Sequence, residues 1–269
     1  MSDFNSAKNV SSLLEKMVAK DADIRFMALN DMINELQNGR PFLDPENEQS
    51  IVKAVLNLLR DKSGEVQSLS VTALSHIAKA VSSQEISRII ADLVSSMANG
   101  ETGQTRSICG IGLKSVINAL QPSTPSVIEL LAQESVKPLV LMIGRHPDTA
   151  VRIEACEILS VILTRFGASL TTLHSDILEC LLLCLSDPNS PLRKRSVQTL
   201  GALMWTASDE AYSATLTYVL CRLGTVMPSA APVVSPSPLL QKPALSTALK
   251  SPVRMEEFKT LFQCLAILV

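Results

Sequence analysis

The stretch Val151-Arg152-Ile153-Glu154-Ala155-Cys156-Glu157-Ile158-Leu159-Ser160-Val161-Ile162-Leu163 decides the fold. Ala155, Leu159 and Leu163 follow Arg152 by three, seven and eleven residues, the spacing of one face of a 3.6-residue helix. The register recurs at Ile24-Arg25, Val66-Gln67, Thr105-Arg106 and Leu192-Arg193, so the leading residues lie 42, 39, 46 and 41 positions apart. The third position is always small (Ala28, Ser70, Cys109, Ala155, Ser196), a notch that lets a neighbouring helix approach. The seventh carries Met32, Leu74, Leu113, Leu159 and Leu200; the eleventh carries Leu36, Ala78, Ile117, Leu163 and Met204.

An apolar-periodic segment precedes each of these helices, at 10–18, 51–59, 86–97, 127–142 and 177–185, so the unit is an antiparallel helical hairpin. The connecting turns carry stop and start signals, as in Asp61-Lys62-Ser63-Gly64-Glu65, Arg145-His146-Pro147-Asp148 and Ser186-Asp187-Pro188-Asn189-Ser190-Pro191. One such hairpin cannot bury its own apolar face, whereas stacked hairpins bury each other's. The pattern predicts an all-α, armadillo-like solenoid of HEAT repeats with a long binding surface. Tetratricopeptide repeats have a shorter period and a Trp and Tyr signature absent here.

The expected organisation is HEAT repeats over 1–223, namely five complete hairpins and the first helix of a sixth. A Pro-, Ser- and Ala-rich stretch at 224–253 is expected to be a loop or disordered insert, because its prolines preclude a continuous helix. Residues 254–269 resume helical periodicity through Phe258, Leu261, Phe262, Leu265 and Leu268 and read as the second helix of the interrupted sixth hairpin. The apolar finish at Ala266-Ile267-Leu268-Val269 contrasts with a polar solenoid cap, so the chain is expected to be a fragment or an incomplete gene model.

Composition narrows the function. The 269 residues are 46% hydrophobic but only 3% aromatic, a core of Leu, Ile, Val, Met and Ala suited to helix packing. A net charge of −2 supplies no basic excess for direct nucleic-acid binding. The longest apolar runs are far shorter than the roughly 18 residues needed to cross a bilayer. The six cysteines form no CxxC pair and the polar start MSDFNS lacks the features of a signal peptide, so a reduced cytoplasmic and nuclear setting is expected.

No phosphate loop, dinucleotide fingerprint, HExxH or GxSxG motif occurs, and the chain is expected not to be an enzyme and to need no cofactor or small-molecule substrate. Cys180 and Cys184 are four apart, yet zinc requires more ligands, so no metal is expected. Arg193-Lys194-Arg195 is the densest basic cluster; it reads as a solvated helix start, a nuclear-import signal, a phosphate contact or an anchor for an acidic partner. The arginines at the register position (Arg25, Arg106, Arg152, Arg193) read either as an outward binding row or as a ladder pairing with acidic neighbours such as Asp23 or Asp148.

Particular strings are more specific than the period: Leu13-Leu14-Glu15-Lys16-Met17, Arg25-Phe26-Met27-Ala28 with Asn30-Asp31, Asp61-Lys62-Ser63-Gly64-Glu65-Val66-Gln67, Ile111-Gly112-Leu113-Lys114-Ser115-Val116-Ile117, and Leu192-Arg193-Lys194-Arg195 followed by 197–203. Over residues 10–223 the chain resembles the amino-terminal repeats of the cullin-associated NEDD8-dissociated family, also known as the TATA-binding-protein-interacting family. The resemblance implies a scaffold that wraps unneddylated cullin–RING ubiquitin ligases and promotes assembly and exchange of their substrate-receptor modules. It implies as partners the cullin carboxy-terminal region and the RING-box subunit, with the TATA-binding protein as a further one. The insert at 224–253 departs from the family, which runs directly through its sixth hairpin. A second departure is length, since the family's distant carboxy-terminal repeats displace the substrate adaptor; a chain ending at Val269 is expected to bind the RING end without completing exchange. Exposed polar positions on second helices are the expected contacts: Asn30, Asp31, Glu65, Lys114, Arg193, Lys194 and Arg195. The competing reading is a HEAT adaptor for nuclear transport or for a phosphatase.

Overall fold

The computed structural model describes residues 2–38, 45–100, 102–122, 124–224 and 237–268. These contain fourteen α-helices and no strand. Two compact units divide the chain, Met1–Ser135 and Val136–Val269.

In the first unit, α1 (Ser2–Met17), α3 (Pro45–Leu58), α5 (Ser83–Asn99) and α7 (Pro125–Leu131) pack side by side as one layer. The second layer is α2 (Ala22–Gln37), α4 (Gly64–Ile77) and α6 (Gly103–Ala119), each paired with the first helix before it. The predicted register is the seam. Ala28, Ser70 and Cys109 are buried at the notch, and Met32, Leu74 and Leu113 are buried one turn on. A Cβ on Gly112 would stand 3.4 Å from Leu74 and 3.5 Å from Leu93, so α6 lies close against both α4 and α5. The leading position is less regular: Val66 is buried, but Ile24 is 41% exposed, and Phe26 and Met27 also reach solvent. Among the second-layer helices of this unit, α4 packs on both α2 and α6.

The second unit repeats the plan. Its first layer is α8 (Lys137–Arg145), α10 (His174–Cys184) and α12 (Asp209–Gly224); its second is α9 (Thr149–Phe166), α11 (Ser190–Met204) and α14 (Met255–Leu268). Caps set the helix starts. Asp148 Oδ1 accepts from the Ala150 N–H at 2.9 Å, and Asn189 Oδ1 from the Leu192 N–H at 3.1 Å. The segment expected as one first helix at 127–142 is interrupted by a wide π-type turn, Ala132–Val136. Pro138 follows it and has no N–H for an ordinary helical bond.

Of the stretch read as a loop, 225–236 lies outside the described residues. The remainder is partly helical: a 3₁₀ turn at Pro238–Gln241 and a short helix α13, Pro243–Lys250. Pro238 and Pro243 occupy first-turn positions, where the missing N–H costs nothing. Leu240 and Leu245 are buried, and α13 rests on α10 and α12. α14 then packs on α11 and α12, in the place of a second helix.

Candidate binding surface

The register arginines divide into two roles, and neither is an outward row. Arg25 donates from Nε and Nη2 to both oxygens of Asp61, each at 2.7 Å, and from Nη1 to the carbonyls of Ala19 and Lys20. It therefore ties its own hairpin turn to the turn of the next hairpin. Arg152 does the same, with Nε on the Ile143 carbonyl and Nη1 2.8 Å from Asp187. Arg193 is 3% exposed; it donates to the carbonyls of Asp187 and Pro188 and to Thr260 Oγ1 on α14. The arrangement is a ladder, with the following repeat supplying Asp61 to Arg25, Asp187 to Arg152 and Glu256 to Arg193. Arg106 donates to the Gly100 carbonyl of its own turn.

Among the expected contact residues, Arg193 is buried, and its guanidinium is used in hydrogen bonds inside the second unit. The alternation of a helix explains this, because Lys194 lies one position further round and is exposed. Arg195 is half-buried, 3.7 Å from Glu157 and bonded to Gln198.

In the first unit Asn30 and Asp31 are exposed on α2, Glu65 is exposed in the first turn of α4, and Lys114 is half-buried on α6. Glu65 belongs to a groove of about 410 Å³ between α2 and α4, lined by Phe26, Gly64, Glu65, Ser68, Leu69 and Thr72. Asn30 stands one turn beyond Phe26 on the same helix. The wall is therefore apolar, with a hydroxyl and carboxylate rim and with Asp31 further along. The residues forming the apolar part, Phe26 and Leu69, were not anticipated; the legible signal was Phe26 falling outside the buried stripe.

A second groove, about 550 Å³, lies between α8 and α10 and includes Val140, Leu141, Ile177 and Cys180. Its acidic side is occupied by Lys242, whose Nζ sits 2.7 Å from Glu179 and 3.2 Å from Asp176. Cys180 donates to the Val140 carbonyl at 3.5 Å; its pairing with Cys184 and its burial raise its thiol, while Cys184, beside Cys180 and Arg152, is lowered. Cys180 consequently faces the groove as a thiol and not as a thiolate nucleophile. His174 is buried with Nε2 2.9 Å from the Gly167 carbonyl, and His146 holds its own turn through Asp148. Among the described residues no group of three or more His, Cys, Asp or Glu side chains is placed to hold a metal. No described helix is long and apolar enough to cross a membrane.

Layered hairpins with a turn-to-turn arginine ladder define an α-helical repeat protein of the HEAT and armadillo type. The fold is similar to that in the crystal structure of the MAST/Orbit N-terminal domain, with a TM-score of 0.51 at 16% identity, covering 88% of this chain and 96% of that one. No family model matches the sequence. Among individual proteins, the chain is a relative of the cullin-associated NEDD8-dissociated proteins. It is 39% identical to protein 2 of that name from Mus musculus, over 80% of this chain, and 37% identical to protein 1 from Drosophila melanogaster, over 78%. It spans 17% of the length of each. It is also 23% identical to the N-terminal part of protein 1 from Emericella nidulans, covering 76% of this chain and 68% of that one.

Proposed function

We propose that this chain is a non-catalytic scaffold that binds unneddylated cullin–RING ubiquitin ligases and takes part in the assembly and exchange of their substrate-receptor modules. The observation that carries this reading is the sequence relationship to proteins named for cullin association and NEDD8 dissociation. The cullin carboxy-terminal region and the RING-box subunit are the proposed partners, the TATA-binding protein a further one, and the cytoplasm and nucleus the proposed locations. Mechanistically this is competition between surfaces: a partner held by the scaffold is withheld from other binders, and the coupling is reciprocal.

The proposed contacts in the first unit are Asn30, Asp31, Glu65 and Lys114 on its second-layer helices; those proposed in the second unit, taken by itself, are Arg193, Lys194 and Arg195. The α2–α4 groove supplies the apolar anchor site that a protein interface needs beside its charged rim. The test is recovery of a purified cullin–RING-box complex on the immobilised chain, before and after neddylation. Unmodified complex is expected to be retained and neddylated complex lost. Equal recovery of both forms, or capture dominated by a transport GTPase or a phosphatase subunit, overturns the reading. Reversing charge at Glu65 with Asp31 is expected to weaken retention about tenfold or more, with the helical circular dichroism unchanged.

A further inference from the structure

A Ser-Pro pair followed two residues later by a cation is the pattern read by proline-directed kinases, which take an extended Ser-Pro backbone and a basic side chain beyond it. The chain contains it twice, as Ser190-Pro191-Leu192-Arg193 and Ser251-Pro252-Val253-Arg254. The other Ser-Pro and Thr-Pro pairs, at Ser235, Ser237 and Thr124, have Pro238, Leu240 and Val127 in the basic position.

Tertiary structure separates the two candidates. Ser190-Pro191-Leu192-Arg193 is the first turn of α11, and Arg193 is buried in the ladder. The other tetrad links α13 to α14 without helical structure; Ser251 has φ −76° and ψ 147°, and Pro252 and Arg254 are exposed.

Ser251 stands against a buried guanidinium. Its hydroxyl donates to the Ala248 carbonyl at 2.7 Å and lies 3.2 Å from Arg222 Nη1, which also donates to the Ser251 carbonyl at 2.5 Å. Arg222 is fully buried and its Nη2 is 2.9 Å from Glu257 Oε2. Arg254 holds the other oxygen of the same carboxylate from 2.8 Å. Two guanidiniums therefore converge on one carboxylate at the start of α14, beside a serine hydroxyl.

We propose that Ser251 is phosphorylated by a proline-directed kinase and that the phosphate draws Arg222 and Arg254 away from Glu257, loosening α14 from α12. In the transfer, Ser251 Oγ attacks the γ-phosphorus of ATP, the bond to the ADP oxygen breaks, ADP leaves, and the hydroxyl proton passes to the kinase's base. The product carries about −1.5 to −2 charges and three strong acceptor oxygens, against the single charge of Glu257. A bidentate guanidinium favours the phosphate, and Glu257, 3% exposed, is left desolvated next to a like charge. This inference does not depend on the cullin reading.

The full chain, incubated with a purified cyclin-dependent kinase and ATP, is expected to gain phosphate at Ser251 by peptide mass spectrometry. The gain should persist in Ser190→Ala and disappear in Ser251→Ala, which keeps its helical circular dichroism. Amide exchange across 255–268 is expected to speed about tenfold on phosphorylation. No transfer to the folded chain, or transfer to Ser190 instead, overturns the site. Phosphate at Ser251 with unaltered exchange in α14 overturns the release.

Discussion

Asp61 shows how one side chain can report on the stacking of two repeats. Arg25 reaches it from the preceding hairpin, and the resulting hydrogen bond, aided by the Ser63 N–H at 2.8 Å, holds the carboxyl below its ordinary value of 3.8 against the opposing effect of burial. A depressed carboxyl pKa adds stability that is complete above the unfolded value and is lost as pH falls from there through the folded one. Asp61→Asn is therefore expected to be less stable than the parent at pH 7, by on the order of 1 kcal/mol once solvent screening is allowed for. Urea unfolding at pH 7 and again near pH 3 checks this; the gap should narrow in acid, and a constant gap contradicts the assignment. The acidic partner was not legible from the repeat alone. A pairing within one turn, with Asp23 or Asp148, is equally consistent with the spacing, and only the stacking of hairpins brings the next turn within reach.

The helices themselves begin where short polar side chains meet backbone donors. Asn189 caps α11 through the Leu192 N–H, and Asp187 in turn accepts from the Asn189 N–H at 2.8 Å. Ser63 precedes α4 in the same position but makes no capping bond from its side chain. Asn189→Ala is expected to cost about 1 kcal/mol, whereas Ser63→Ala should cost no more than a few tenths, measured by denaturant unfolding of both variants. Equal losses would show that the caps are not what distinguishes these two starts. The turn residues were readable in sequence because each has a local chemical reason. The wide turn at Ala132–Val136 was not, since apolar periodicity runs through it and a π-type turn shifts the register by a single residue.

Over the whole chain, the cysteines measure how completely the layers close. Cys109, Cys156, Cys184 and Cys264 are buried, while Cys180 and Cys221 are half-buried. Burial raises the thiols of Cys156 and Cys264 to about 12, so they stay protonated and shielded. An aromatic disulfide reagent at neutral pH is expected to modify at most two thiols rapidly in the native chain and all six after denaturation. Rapid reaction of four or more would mean that the packing of the second-layer helices is looser than described.

The amino-acid sequence by itself determined the helical hairpin, its period of about forty residues, the buried notch and stripe, the capped turns and the family resemblance. All of these rest on local spacing or on strings of neighbouring residues, which need no long-range information. The tertiary structure decided which charged groups are consumed by the fold. It buried Arg193 and left Lys194 exposed, joined Arg25 to Asp61 across hairpins, formed a groove from Phe26 and Leu69, and set Ser251 beside Arg222 and Glu257. Those outcomes depend on residues far apart in the chain meeting at one point, and neither charge nor exposure of such a group is defined until the layers have stacked.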